Sequence, residues 1–147
     1  MAHRKYLASV LVFLQFLCIG TLVLLNGILA DNIAGIIIQG LAAILLSYAV
    51  ISMKIDNLRI SPIVKETAQL RIAGPYKIIR HPMYLSVLGY SLPLGLEKLT
   101  FINISTSLLL LLVLNIKLNF EENLLQERFP EYGEYKSTTW RILPFIY

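Results

Sequence analysis

Two clusters of chemically capable side chains stand about forty residues apart, Arg80-His81-Pro82-Met83-Tyr84 and Glu121-Glu122, with Tyr76 just ahead of the first. Each has a bland reading when taken alone. A glutamate pair is most often a solvated helix end, a histidine beside a proline a turn residue, and a lone tyrosine an interface anchor. Taken in order, they describe a binding mouth. A carboxylate at a helix end can pair with an ammonium group. Pro82 suits the first position of a helix, and the amides of Met83 and Tyr84 behind it would then face an anion such as a carboxylate. Lys117 lies four residues before Glu121 and shares its helix face one turn deeper. His3 is the only histidine besides His81, so the usual ligand spacings of a metal site cannot be assembled.

The elements that must position these residues belong to a membrane protein. The chain has 147 residues, of which 56% are apolar and 15% charged, and its mean hydropathy is +0.68. A water-soluble domain of this size carries more charge. Tyr6 to Ala30 and Asn32 to Met53 hold no ionised side chain, and each exceeds the roughly 20 residues that cross a hydrocarbon core. Two shorter uncharged runs follow, His81 to Leu96 and Leu99 to Ile116, the first with Pro93 and Gly95 near its end. The expected fold is all-α, with four transmembrane helices at about 6–29, 33–53, 82–97 and 99–117 and a tail at 118–147, the whole forming one domain over 1–147.

Charge orients these spans. Of the 13 Lys and Arg residues, all but Lys98 fall before the first span, between the second and third, or after the fourth. The positive-inside rule then puts both termini on the cytoplasmic side and folds the two short runs into a hairpin. The excess of basic residues reads as topology and attraction to anionic headgroups, since no nucleic-acid motif accompanies it. Cys18 is alone, so neither a disulfide nor a CxxC site is available. The first span is too long for a signal h-region and lacks a small-residue cleavage site, so it reads as a retained helix.

The polar stretch 54–82 cannot be one helix, because Pro62, Gly74-Pro75 and Pro82 interrupt it. Gly74-Pro75-Tyr76-Lys77 reads as a turn with proline second, and His81, preceding a proline, is pushed toward extended backbone. The fourth span is expected to continue beyond the membrane to Phe129, where Pro130 ends it. Tyr132, Tyr135, Trp140, Phe145 and Tyr147 then form an aromatic tail suited to the headgroup level.

With these segments in place, the chain resembles the isoprenylcysteine carboxyl methyltransferase family. The resemblance covers about residues 68–147 and is carried by Gly74-Pro75-Tyr76, Arg80-His81-Pro82-Met83-Tyr84, Glu121-Glu122-Asn123-Leu124-Leu125, the Tyr132 to Lys136 stretch and Leu143-Pro144-Phe145-Ile146. It implies that S-adenosylmethionine sits on the cytoplasmic side between the 54–82 loop, the hairpin mouth and the C-terminal segment, while a lipidic substrate enters from the bilayer. By matching positions, Leu70, Tyr76, His81, Pro82, Met83, Tyr84 and Glu121 would bind the cofactor. Lys117 stands where the family's eukaryotic members carry an arginine assigned to the substrate carboxylate, and it would contact the substrate. Lysine keeps the charge but gives up the planar two-point grip.

The implied activity is methylation of a lipidic or prenylated small-molecule or peptide substrate, most simply carboxyl O-methylation, in contact with membrane lipids and with neither metal nor nucleic acid. Related membrane enzymes methylate phospholipid amines on the same plan, so N-methylation stands as the alternative. Sterol-type reductases share a similar C-terminal region but are larger and use a nicotinamide cofactor. A non-enzymatic four-helix protein is the last alternative; for a carrier, the lack of ionised residues inside any span counts against it.

Overall fold

The computed structural model describes residues 2–53, 70 and 72–146. They form α1 (Ala2–Asn26), α2 (Ile33–Met53), a 3₁₀ turn (Gly74–Lys77), α3 (Pro82–Glu97), α4 (Phe101–Arg128) and the short α5 (Tyr132–Thr138). Among the described residues the only β-type pairing is an isolated parallel bridge between Ile79 and Trp140. Most of the loop, with the expected break at Pro62, lies outside the described residues.

Among these elements three helices are long and apolar enough to cross a membrane: α1 from His3, α2 and α4. α1 starts ahead of the uncharged run, taking in Arg4 and Lys5, and stops at Asn26, where Gly27 turns to a φ of +90°. α3 forms where the sequence places it, but its 16 residues rise only about 24 Å, short of a hydrocarbon core of roughly 30 Å. Pro93 sits inside α3 without ending it. α4 has 28 residues and rises about 42 Å, so its last turns extend past any such core. It ends at Arg128 with Phe129 as its cap, just before Pro130.

α2 packs along α3, α1 lies against α4, and α3 touches both α1 and α4. Gly89 lets α2 and α3 approach closely, since a Cβ there would stand 3.0 Å from the Cβ of Ala42. Cys18, Leu22, Ala30, Leu94, Leu110 and Leu114 form the apolar core between α1, α3 and α4. Lipid tails are as apolar as leucine, so such packing works through close van der Waals contact and interhelical hydrogen bonds.

At the α1–α2 turn those bonds are numerous. The side-chain amides of Asn26 and Asn103 bond reciprocally at 3.2 and 3.0 Å. Gln39 accepts from the Ala30 amide at 2.9 Å and donates to the Tyr90 carbonyl at 3.1 Å. Glu97, at the end of α3, accepts from the Asp31 amide and, at 2.9 and 2.8 Å, from the backbone and side-chain amides of Asn32. The loop between α1 and α2 is thus an architectural joint capped by one carboxylate.

Candidate active site at the mouth of the hairpin

At the opposite end of α3 and α4 the chain folds back on itself. Gly74 has a φ of +55°, and a side chain on it would collide with the Ser52 hydroxyl at the end of α2, so glycine is required there on two counts. Tyr76 follows, buried. The Arg80 and His81 amides donate to the Trp140 and Arg141 carbonyls at 2.8 and 3.1 Å, and the Trp140 amide returns a bond of 2.9 Å to Ile78. These bonds lay the C-terminal segment against the residues that open α3.

His81 caps α3 and Pro82 is its first residue, as the local signals demand. The His81 backbone, at φ −127° and ψ 58°, avoids the helical region without being fully extended. Its carbonyl therefore reaches into the first turn and accepts from the amides of both Tyr84 and Leu85 at 3.1 Å. The expectation that Met83 and Tyr84 both present free amides is corrected here: the Tyr84 amide is already used.

The two glutamates part company. Glu122 is 5% exposed, and its Oε1 accepts from Arg80 Nε at 3.0 Å and lies 3.3 Å from His81 Nε2. Its Oε2 is 3.3 Å from Arg141 Nη2 and 3.6 Å from Lys136 Nζ. Arg80 also donates to the carbonyls of Lys136 and Thr139. A carboxylate removed from water is tolerable only when paired in this way. Glu122 is the node that ties α4, the start of α3 and the tail together.

Glu121 lies against the other nitrogen of the same His81 ring and stays partly open, its side chain 28% exposed. Its Oε2 accepts from the Tyr84 hydroxyl at 2.8 Å, and His81 Nδ1 is 3.9 Å away. The His81 and Tyr84 ring centroids are 5.5 Å apart. Burial, and then the charge of Glu121, push the Tyr76 phenol well above its ordinary range. That hydroxyl is buried with no hydrogen-bond partner among the described residues. Tyr76, His81, Tyr84 and Glu121 are thus gathered around the start of α3, beside Pro82 and the partly buried Met83. Leu70 is half-buried at the edge of the described residues.

Lys117, expected at the substrate, is 1% exposed. Its amine donates to Gln15 Oε1 of α1 and stands 5.2 Å from the centroid of the Tyr84 ring, so its charge lies beneath Tyr84. Sequence reasoning did not pick out Gln15, although an amide in an otherwise apolar span was the available signal. It also placed Tyr132 and Tyr135 at the headgroup level, whereas both are buried. The Tyr135 hydroxyl donates to the Tyr76 carbonyl at 2.7 Å, and burial pushes its pKa up to about 12. Trp140 and Phe145 remain exposed, their ring centroids 5.4 Å apart. No group of three His, Cys, Asp or Glu side chains among the described residues is placed to hold a metal ion.

A family model described as phospholipid methyltransferase matches residues 30–132, well over half of the chain. The chain belongs to the phospholipid methyltransferase family. The match runs from the start of α2 to the start of α5 and takes in both clusters at the mouth, while α1 lies outside it. No curated protein and no solved structure matches the chain significantly. With its apolar helices, this phospholipid methyltransferase family member is an integral membrane methyltransferase for a lipid substrate, within the same broad group as the isoprenylcysteine enzymes.

Proposed function

We propose that the protein transfers a methyl group from S-adenosylmethionine to the amine of a phospholipid headgroup, at a site on the cytoplasmic face. In this reading α3 is a fourth, short span, tilted or sitting where the bilayer thins. The observation that carries it is the pair formed by Tyr84 and Glu121 at the hairpin mouth, beside the buried phenol of Tyr76, which has no hydrogen-bond partner among the described residues. These groups fit the donor: a partly open carboxylate suits its ammonium, and a buried hydroxyl without a partner suits one of its polar atoms.

When bound, S-adenosylmethionine supplies an electrophilic methyl group on a cationic sulfur. Glu121 would hold its ammonium and the Met83 amide its carboxylate, with Tyr76, His81, Pro82, Tyr84 and Leu70 enclosing it. The folded-back tail, bonded to the residues that open α3, would help to screen the bound donor from water, which favours a reaction that disperses charge. Positioning contributes most of the remainder. An amine acceptor must lose a proton, and a glutamate or a water would have to take it.

Lys117 bears on the choice of acceptor. Its amine is buried against Gln15 and Tyr84, which takes away the exposed cation that a carboxylate acceptor would seek. Carboxyl O-methylation of an isoprenylcysteine-type substrate is the second reading, favoured by the Gly74-Pro75-Tyr76 and Leu143-Pro144-Phe145-Ile146 segments.

The purified chain is incubated with native membrane lipids and a methyl-labelled donor, and the products are treated with base. Label that survives in a phospholipid amine is the expected result; label released as methanol would establish the ester reading. Thermal stabilisation by NADPH but not by S-adenosylhomocysteine would overturn both.

A further inference from the structure

Below the mouth lies a polar contact that the proposed reaction does not use. Gln15 on α1 is 5% exposed and Lys117 on α4 is 1% exposed, and the amide oxygen of the first accepts from the amine of the second. Gln15 lies outside the residues that match the family. Polar side chains in an apolar span seek partners because neither lipid nor water satisfies them there. Interhelical glue between α1 and α4 would account for that much.

The position of the amine adds something glue does not require. Lys117 Nζ stands 5.2 Å from the Tyr84 ring centroid, within the roughly 6 Å over which a cation is drawn to an aromatic ring. The same ring ends in the hydroxyl that donates to Glu121 at 2.8 Å. A cation against the ring withdraws electron density from the phenol and strengthens its O–H as a donor, and bonds in a chain reinforce one another in a low-dielectric site. The contacts run in sequence from Gln15 to Lys117, to the Tyr84 ring, to the Tyr84 hydroxyl and to the carboxylate at the mouth.

We propose that Gln15 and Lys117 are a positioning pair: acting through Tyr84, they aim the carboxylate of Glu121, which makes α1 part of the functional site. The inference rests on the proposed role of Glu121 as the group that holds the cofactor's ammonium. Neither member of the pair touches the cofactor.

The test uses the full chain in lipid nanodiscs as Gln15→Leu, Lys117→Met, the double variant carrying both, Tyr84→Phe, and Tyr84→Phe combined with Lys117→Met. Each single change should weaken S-adenosylhomocysteine binding by about tenfold. Residues acting as one unit show non-additive losses, so the double variant should be no weaker than either single one, and Lys117→Met should add nothing to Tyr84→Phe. The double variant removes both ends of the Gln15–Lys117 bond, so it should recover part of the thermal midpoint lost by the singles without recovering affinity. Glue alone would restore both.

Carbodiimide labelling of Glu121, read by mass spectrometry, should rise severalfold in every variant of the series, because the Tyr84 hydroxyl no longer holds the carboxylate. Wild-type affinity and wild-type labelling in the folded double variant would overturn the inference, as would losses that add. If the single variants do not fold, the double variant decides. A wild-type chain that does not bind S-adenosylhomocysteine would overturn the role of Glu121, and the labelling series would still decide whether the pair holds that carboxylate.

Discussion

The two ends of the α3–α4 hairpin are both fastened by glutamates, yet they are fastened differently. At the end near the α1–α2 turn, Glu97 faces neutral donors, the amides of Asp31 and Asn32, and the neighbouring Asn26 and Asn103 spend their amides on each other. At the mouth, Glu122 is surrounded by cationic side chains from the start of α3 and from the tail, while Glu121 beside it keeps an open face. Neutral bonds suffice to hold two helices at a loop. The mouth carries more: one carboxylate ties the start of α3 to the C-terminal segment, while its neighbour stays partly open, as the proposed role of holding a cationic ligand requires.

The largest effect should come from breaking the node. Glu122→Gln removes the buried carboxylate that neutralises the partly buried Arg80 and Arg141, and loss of one partner from a buried ionic cluster typically costs about 3–5 kcal/mol. Thermal unfolding should show that loss, and limited proteolysis should show a released tail; a tail still protected after the change would mean that the backbone bonds at Trp140 hold it unaided.

Glu121→Gln sharpens the contrast. It keeps the shape, so the thermal midpoint should hardly move, while calorimetry should show S-adenosylhomocysteine affinity falling on the order of a hundredfold. Equal affinity in variant and parent would make Glu121 an ordinary solvated helix end.

Asn103→Ala acts at the neutral end. Interhelical side-chain bonds in membranes average about 0.6 kcal/mol and reach about 1.7, so stability should fall by roughly that much with methyl transfer intact. A loss of transfer at unchanged stability would show that the two ends are coupled.

The smallest effect is confined to high pH. The Tyr135 pKa is raised to about 12 in the folded chain, so its contribution to stability is complete below the ordinary phenol value of about 10 and is lost as pH climbs through 12. Tyr135→Phe should flatten the tail's protease sensitivity across that window, and an unchanged slope would assign it to other groups.

Much of the framework was legible because its signals are local. Pro82 starts α3 and Phe129-Pro130 closes α4 where their backbone chemistry requires. The site was legible only as a set of residues. Successive glutamates on a helix diverge by about 100°, but which one turns inward depends on Arg80, Arg141 and Lys136, brought close by folding from distant parts of the chain. For the same reason Tyr132 and Tyr135 looked like interface anchors: their burial depends on the tail folding back. Gln15 was missed because its partner lies 102 residues away.

The parallel bridge between Ile79 and Trp140 also sets an order of events. Chains emerge from the N-terminus, so Arg80 and His81 are made and the helices that follow them can form well before Trp140 and Arg141 appear to accept their amides. The mouth is therefore completed long after its first residues are made, and a nascent chain lodged in the membrane leaves those amides without their acceptors until Trp140 and Arg141 arrive.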